Sequence, residues 1–373
     1  MKKDYFLLAV LLGLWKDVPE CVQRIRVEID KLTVSWKTDW SSAIKLAEFQ
    51  SVTGLLFSGM SQMGVVNENE KYALYNHIGP LIMNNSLINH TLLAVITELN
   101  RNALPYCLLK GQGIGAYYNE PEIRVGGDID LYVGKYQQRA IESLLPLTNQ
   151  KKCEINGKHA NLCIYGIEVE LHKYVDSMIS HKHNEIFRKW SEKELFDNAK
   201  SVIVNKKEVR IPKPTFNAFC IFYHLFRHFL ISGVGLRQLC DWARLLYCEK
   251  DNIDREELCS KLQLFGIDEG WDAFMTLLEC FLFLPECATI YCKGRCSGKK
   301  VNRIMKYILM DGNMGVGFAK GIKPKGTVAV KWYNMKRIIR RSAMTFSLFP
   351  RIVCKRLTNY LFAFKYLHKH IDL

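Results

Sequence analysis

Residues 108–133, L-L-K-G-Q-G-I-G-A-Y-Y-N-E-P-E-I-R-V-G-G-D-I-D-L-Y-V, carry two competing chemistries. A glycine-rich turn after an apolar run suits a phosphate, and two aspartates one residue apart suit a divalent cation. Taken alone, Gly111 to Ala116 fits the pattern G-x-G-x-x-[GA] that binds dinucleotides after a strand, with an acid about twenty residues on. That reading needs a helix long enough to return the chain along a parallel strand, yet Pro121 interrupts it after barely two turns. The ribose-binding acid should also end its strand, whereas Asp128 opens one and Asp130 lies inside it.

The cation reading uses more of the residues. In D-I-D-L-Y-V the strand period of two puts Asp128 and Asp130 on one face and Ile129, Leu131 and Val133 on the other. Adjacent carboxylates repel, so such a pair calls for a cation. A pair of Mg2+ ions roughly 3.5–4 Å apart could be held there and clamp a phosphoryl group. The plainer alternative is a solvated strand with two chance acids. Against it, the strand is otherwise apolar, Gly126-Gly127 leaves the backbone open to a ligand, and Arg124 stands just before. Downstream, I-E-V-E-L-H places Glu168, Glu170 and His172 on one face, supplying a third carboxylate. Upstream, Lys110-Gly111 at a helix start would offer an ammonium and backbone N–H groups to phosphate oxygens.

The run L-L-K-G, Arg124, G-G-D-I-D-L-Y-V and V-E-L-H resembles the polymerase-beta-like nucleotidyltransferase superfamily, and within it the bacterial family of uncharacterised nucleotidyltransferases. D-W-S-S-A-I-K-L-A-E-F-Q and H-L-F-R-H-F-L-I-S-G-V-G-L-R-Q-L-C-D-W-A-R-L-L are similar to that family's flanking helices, so the resemblance spans roughly residues 36–250. It implies that Asp128 and Asp130 hold the catalytic metals and that Glu170 completes the set. It further implies nucleotide contacts from Lys110, Gly111, Gln112, Arg124 and Gly127. Two Mg2+ ions, or Mn2+ in their place, would serve as cofactors, with an NTP as donor substrate.

The 373 residues suffice for two or three cores, and 49% hydrophobic with 24% charged residues is ordinary for a globular protein rather than a disordered one. Thirteen cysteines, scattered through apolar runs, read as reduced, buried thiols of a cytoplasmic protein. Cys287, Cys292 and Cys296 match no zinc or iron–sulfur spacing. The N-terminal run Y-F-L-L-A-V-L-L-G-L-W is too short to span a bilayer and lacks a cleavage site, so it reads as a buried first helix. The net charge of +15 is concentrated at one end: from Tyr291 onward 19 Lys or Arg face only Asp311 and Asp372, leaving −2 on the preceding 290 residues.

Periodicity then gives an α+β organisation, a small mixed sheet flanked by N- and C-terminal helical regions. Residues 1–100 are a helical region, with Asp39 an N-cap and Gly54 or Gly59 a break. Residues 101–211 are the α/β core. Its strands are P-Y-C-L-L-K, D-I-D-L-Y-V, A-N-L-C-I-Y and I-E-V-E-L-H, the last two joined by a Tyr165-Gly166 turn, with a further hairpin near 201–211. Residues 212–290 are helical, and 291–373 form a basic helical tail.

His224 and His228, four apart on an aromatic helix, read as hydrogen-bonded core residues rather than a metal pair. His172, His228, Arg237 and Asp241 are candidates for an acceptor pocket; Arg237 and Asp241 are also four apart, as an ordinary helix pair would be. The tail's cations interleaved with Phe, Tyr, Leu and Ile have three readings: a solvated face on a packed region, a surface for anionic membrane, or a grip on a polyanion such as nucleic acid. The sequence thus points to an enzyme that moves a nucleoside monophosphate from an NTP to an acceptor, which could be a small molecule, a glycan, RNA or protein. The alternative is a non-catalytic scaffold of the same fold, working through its basic tail.

Overall fold

The computed structural model describes residues 3–32, 40–64, 68–150, 152–156, 159–178, 181–317 and 327–366. The chain begins with helices α1 (Lys3–Leu14), α2 (Pro19–Asp30), α3 (Trp40–Gln50), α4 (Thr53–Met63) and α5 (Glu68–Arg101). The central portion runs β1 (Cys107–Leu109), α6 (Gly111–Gly115), β2 (Ile129–Tyr132), α7 (Gln137–Leu144), β3 (Glu154–Asn156), β4 (His159–Ile164), β5 (Ile167–His172), α8 (His181–Glu192), β6 (Lys200–Val204) and β7 (Lys207–Ile211). Helices α9 (Pro214–Ile231), α10 (Leu236–Cys248), α11 (Arg255–Phe265), α12 (Asp268–Phe281), α13 (Gly298–Asp311), α14 (Thr327–Phe346) and α15 (Pro350–Tyr366) complete it. The architecture is the expected α+β one. Contacts divide it into two compact units, one built on α1 to α4 with the chain from Ala218 to α15, the other on Val66–Asn217.

The Val66–Asn217 unit holds a five-stranded sheet in the order β1-β2-β5-β4-β3. Only β2 and β5 run parallel; β1 lies antiparallel to β2, and β5, β4 and β3 form an antiparallel meander. Helix α5 turns Ile88, Leu92, Val95, Ile96 and Leu99 inward at three- and four-residue steps and packs on α7 and β5. Gln137 of α7 donates to the carbonyl of Leu171 at 2.7 Å, tying the crossover helix to β5. Two of the hairpin turns have two residues at positive φ, Tyr165-Gly166 (51° and 84°) and Asn205-Lys206 (47° and 65°), the geometry that matches strand twist. Strand β3 was not foreseen: three residues, E-I-N, are too few to show alternation.

The other unit is cored by rings. Phe222 of α9 lies 5.2 Å from Trp242 of α10 and 5.0 Å from Trp271 of α12, centroid to centroid. Trp15 and Trp271 each donate their indole N–H to a backbone carbonyl, of Leu282 and Ile290, at 2.6 Å. The first helix is buried as expected, with Phe6 and Leu8 to Leu12 inside. Gly54 and Gly59 do not break the chain; they lie within α4, and the break falls at Ser51, whose φ is 55°. The reason is a close helix crossing: a Cβ on Gly59 would stand 1.7 Å from the Ala9 carbonyl oxygen, and one on Gly13 2.1 Å from that of Leu55. The cap expected at Asp39 lies outside the described residues.

Not all cysteines are buried thiols. Cys259 and Cys292 form a disulfide, Cα atoms 5.4 Å apart, and Cys163, Cys248, Cys280, Cys287 and Cys354 are exposed. The Cys292 segment is drawn onto α12 because Asp272 accepts the N–H groups of Cys292 and Lys293 at 2.8 Å and Thr276 that of Cys296 at 3.0 Å. The basic tail is likewise partly internal: Arg341 is wholly buried, pairing with Asp311 at 2.6 Å and donating to the Phe229 carbonyl. No helix among the described residues is long and apolar enough to cross a membrane.

Candidate active site

The antiparallel pairing of β1 with β2 removes the dinucleotide alternative, which requires a parallel neighbour after the glycine turn. Instead, α6 is five residues long and the chain returns at once to form β2 beside β1. Asp130 then stands in register with Leu109 on one side and Glu170 on the other. Glycine is needed within α6, where a Cβ at Gly113 would approach Ile211 of β7 to 2.9 Å.

Three acids converge. One oxygen from each of Asp128, Asp130 and Glu170 lies within 4.8 Å of the others, with Asp128 exposed, Glu170 half-buried and Asp130 buried. Glu168, two residues before Glu170 on the same face, is exposed and accepts from Asn161 at 2.8 Å, and so is occupied apart from this group.

Around Asp130 the electrostatics are opposed. Burial alone would raise its carboxyl, but the Lys110 ammonium at 3.6 Å and the His172 imidazole at 2.7 Å hold it well below the usual carboxylate range. For His172 burial opposes the charge, and hydrogen bonds to Asp130 and Glu170 push it up to about 9. Asp128 moves the other way: partial desolvation and then the neighbouring Asp130 charge raise its carboxyl. One ammonium and one imidazolium face three carboxylates, which leaves the group with a negative excess suited to hard cations bound through oxygen.

The nucleotide-contact candidates are dispersed around this group. Lys110 follows β1 with φ 51° and Gly111 comes next at 43°, a backbone turn that a non-glycine residue adopts only under strain of about 1–3 kcal/mol. The two glycines before Asp128 have different duties. A Cβ on Gly126 would meet Asn85 Oδ1 at 2.6 Å and Ile88 at 2.8 Å, so that glycine lets the loop press against α5, whereas Gly127 faces open space. Asn85 also donates to the carbonyls of Glu122 and Arg124, pinning the loop. Arg124 and Gln112 are buried, the latter donating to Asn89 of α5 at 2.5 Å.

Of the acceptor-pocket candidates, His172 belongs to the acidic group. His228 lies on α9, where it contacts Ser232 at 3.1 Å and its ring lies tilted against that of His224, centroids 4.4 Å apart, and Arg237 and Asp241 lie on α10. These three belong to the ring-cored unit.

His159, a lone histidine with no motif of its own, is a further member of this neighbourhood. It opens β4 directly opposite His172, with its Nε2 4.0 Å from Glu170 Oε1. The signal was available: a two-residue turn at Tyr165-Gly166 pairs Ile164 with Ile167 and therefore, counting outward, Asn161 with Glu170 and His159 with His172.

Compared with known protein families, residues 37–283 match the model of a family described as uncharacterised nucleotidyltransferase. No curated protein and no solved structure matches the chain.

Proposed function

The chain belongs to the uncharacterised nucleotidyltransferase family, and on that premise we propose that it is a metal-dependent enzyme transferring a nucleoside monophosphate from an NTP to an acceptor, with release of pyrophosphate. The observation that carries this reading is the convergence of Asp128, Asp130 and Glu170 from two parallel neighbours in one sheet.

These three acids are all-oxygen donors fit for Mg2+, or Mn2+, which when bound supplies charge neutralisation at the α-phosphate and a more acidic acceptor hydroxyl. Lys110 holds Asp130 in its charged form and presents an ammonium beside the triphosphate. Gly111 and Gly127 allow close backbone approach, with Arg124 and Gln112 shaping the wall behind. Asp130, kept anionic by Lys110 and His172, serves to bind a cation, and Glu170 takes the acceptor's proton. His172 orients both carboxylates.

The test is thermal shift with Mg2+ and each of the four NTPs. Wild type gains stability from metal and nucleotide together, and Asp128→Asn erases the gain. Labelled NTP incubated with cell extract then identifies the acceptor as whatever is labelled by wild type and not by that variant. Silence of wild type toward all four nucleotides would hand the function to a non-catalytic scaffold.

A second proposal concerns the tail and location. Trp332, Ile339 and Phe346 are exposed at seven-residue steps on α14, with exposed Lys336 and Arg340 on the same side. Such a face suits the anionic inner surface of a membrane, each cation contributing about 1 kcal/mol. We therefore place the enzyme in the cytoplasm, peripheral at that surface. Co-sedimentation with phosphatidylserine vesicles, lost in neutral vesicles and weakened by Trp332→Ala, is the expected result. Equal binding to neutral vesicles, or none, removes the proposal, and capture by nucleic acid alone would point to a polyanion.

A further inference from the structure

Beside the carboxylate group lies a second donor set, which shares Glu170 with it and adds His172 and His159. His159 of β4 and His172 of β5 are direct cross-strand partners, and Glu170 is two residues before His172 on the same face. Each oxygen of Glu170 faces one imidazole: Oε2 is 3.3 Å from His172 Nε2, and Oε1 is 4.0 Å from His159 Nε2. The two rings have centroids 5.4 Å apart. One donor atom from each of the three residues lies within 4.8 Å of the other two. Glu170 and His159 keep 19% and 30% of their side-chain surface exposed, so a hydrated ion can reach them.

The donor types select the ion. Mg2+ takes oxygen ligands, whereas two imidazoles with one carboxylate form an open three-ligand set suited to a borderline ion such as Zn2+. With tetrahedral bonds of about 2.0–2.1 Å, neighbouring ligand atoms stand roughly 3.3–3.5 Å apart. The Glu170–His172 separation already meets that distance, and a small rotation of His159 closes the remainder.

We propose that His159, Glu170 and His172 form a nitrogen-rich cation site of the zinc class, joined through Glu170 to the all-oxygen set of Asp128 and Asp130. The site stands on the cross-strand geometry alone and does not depend on nucleotide transfer. His172 links the two sets, because the nitrogen that an ion would take is the one that now bonds Asp130.

The experiment uses the full-length chain, stripped of metal and titrated with Zn2+ alone. One tight equivalent is expected, weakened at least about a hundredfold by His159→Gln, since loss of a ligand exceeds the effect of losing one of its supports. X-ray absorption on the zinc-loaded wild type should show two imidazole nitrogens at about 2.0–2.1 Å. His159→Gln should retain the stabilisation by Mg2+ and NTP, and Asp128→Asn should retain zinc, so the failure of either site is read separately. Absence of tight zinc binding by wild type, unchanged affinity in His159→Gln, or a coordination shell without two imidazoles would each overturn the proposal. Because His224 and His228 also lie close together, His224→Gln is the second variant: it should leave zinc affinity unchanged, and a loss there would overturn the proposal.

Discussion

Asp130 and Glu170, forty residues apart in the chain, are register partners on the two parallel strands of the sheet. Their carboxylates share a face with Asp128 because the strand period returns every second residue to it. From this pairing follow expectations that separate charge from packing.

Asp128 is exposed and repelled by Asp130. Asp128→Asn relieves that repulsion, so the ligand-free protein should melt no lower than wild type. Transfer should nevertheless fall by at least about a hundredfold, in the range that follows loss of an electrostatic contact to the reacting phosphate. Calorimetry on the ligand-free protein and a labelled-nucleotide assay together check this; a lower melting temperature would refute the repulsion argument.

Asp130 behaves in the opposite way. Its removal leaves the buried His172 imidazolium and the Lys110 ammonium without their main counter-charge. Asp130→Ala should cost about 3 kcal/mol in urea unfolding, as does breaking a buried pair by deleting one partner. A cost below that of Asp128→Ala would contradict the assignment of Asp130 as the electrostatic centre.

The double glycine divides by position. Gly126→Ala drives a methyl into Asn85 and Ile88 and should destabilise by about 1–3 kcal/mol, the usual penalty of overpacking. Gly127→Ala meets no neighbour and should leave the melting temperature unchanged while weakening nucleotide binding. Thermal melts with and without Mg2+ and NTP distinguish the two.

At the α1–α4 crossing, Gly59→Ala would put a methyl on the Ala9 carbonyl. We expect a loss of about 3 kcal/mol, the upper end for overpacking, because backbone rather than a side chain must yield. Gly79→Ala in α5, where an added Cβ meets nothing within 4 Å, serves as the control in the same melting series.

Arg341 and Asp311 form a wholly buried pair. Arg341→Met should cost about 3–5 kcal/mol by stranding Asp311, and adding Asp311→Leu should recover much of it, since a matched apolar pair can replace a buried ion pair. A double-mutant cycle in denaturant provides the measurement. Additive losses would mean the two residues do not act as a pair.

Much of this site was legible beforehand because its signals are local. The alternation in D-I-D-L-Y-V and I-E-V-E-L-H, and the Tyr165-Gly166 turn between strands, fix which side chains share a face within a few residues. His159 escaped notice although turn arithmetic reaches it, since a single histidine before a strand carries no pattern of its own. Gly54 and Gly59 misled because a glycine in a helix reads the same whether it ends the helix or admits another backbone against it. The disulfide was hidden for a similar reason: Cys259 and Cys292 are brought together by Asp272 and Thr276 gripping an irregular segment.

The chain by itself determined the strands apart from β3, their faces, the acids and the concentration of positive charge beyond Tyr291, all set by local spacing and composition. Only the tertiary structure decided that β2 and β5 are neighbours, that Lys110 and His172 both pair with Asp130, and that Arg341 is internal. Those depend on pairings between segments tens of residues apart, where chain entropy is opposed by burial and registry rather than by local geometry.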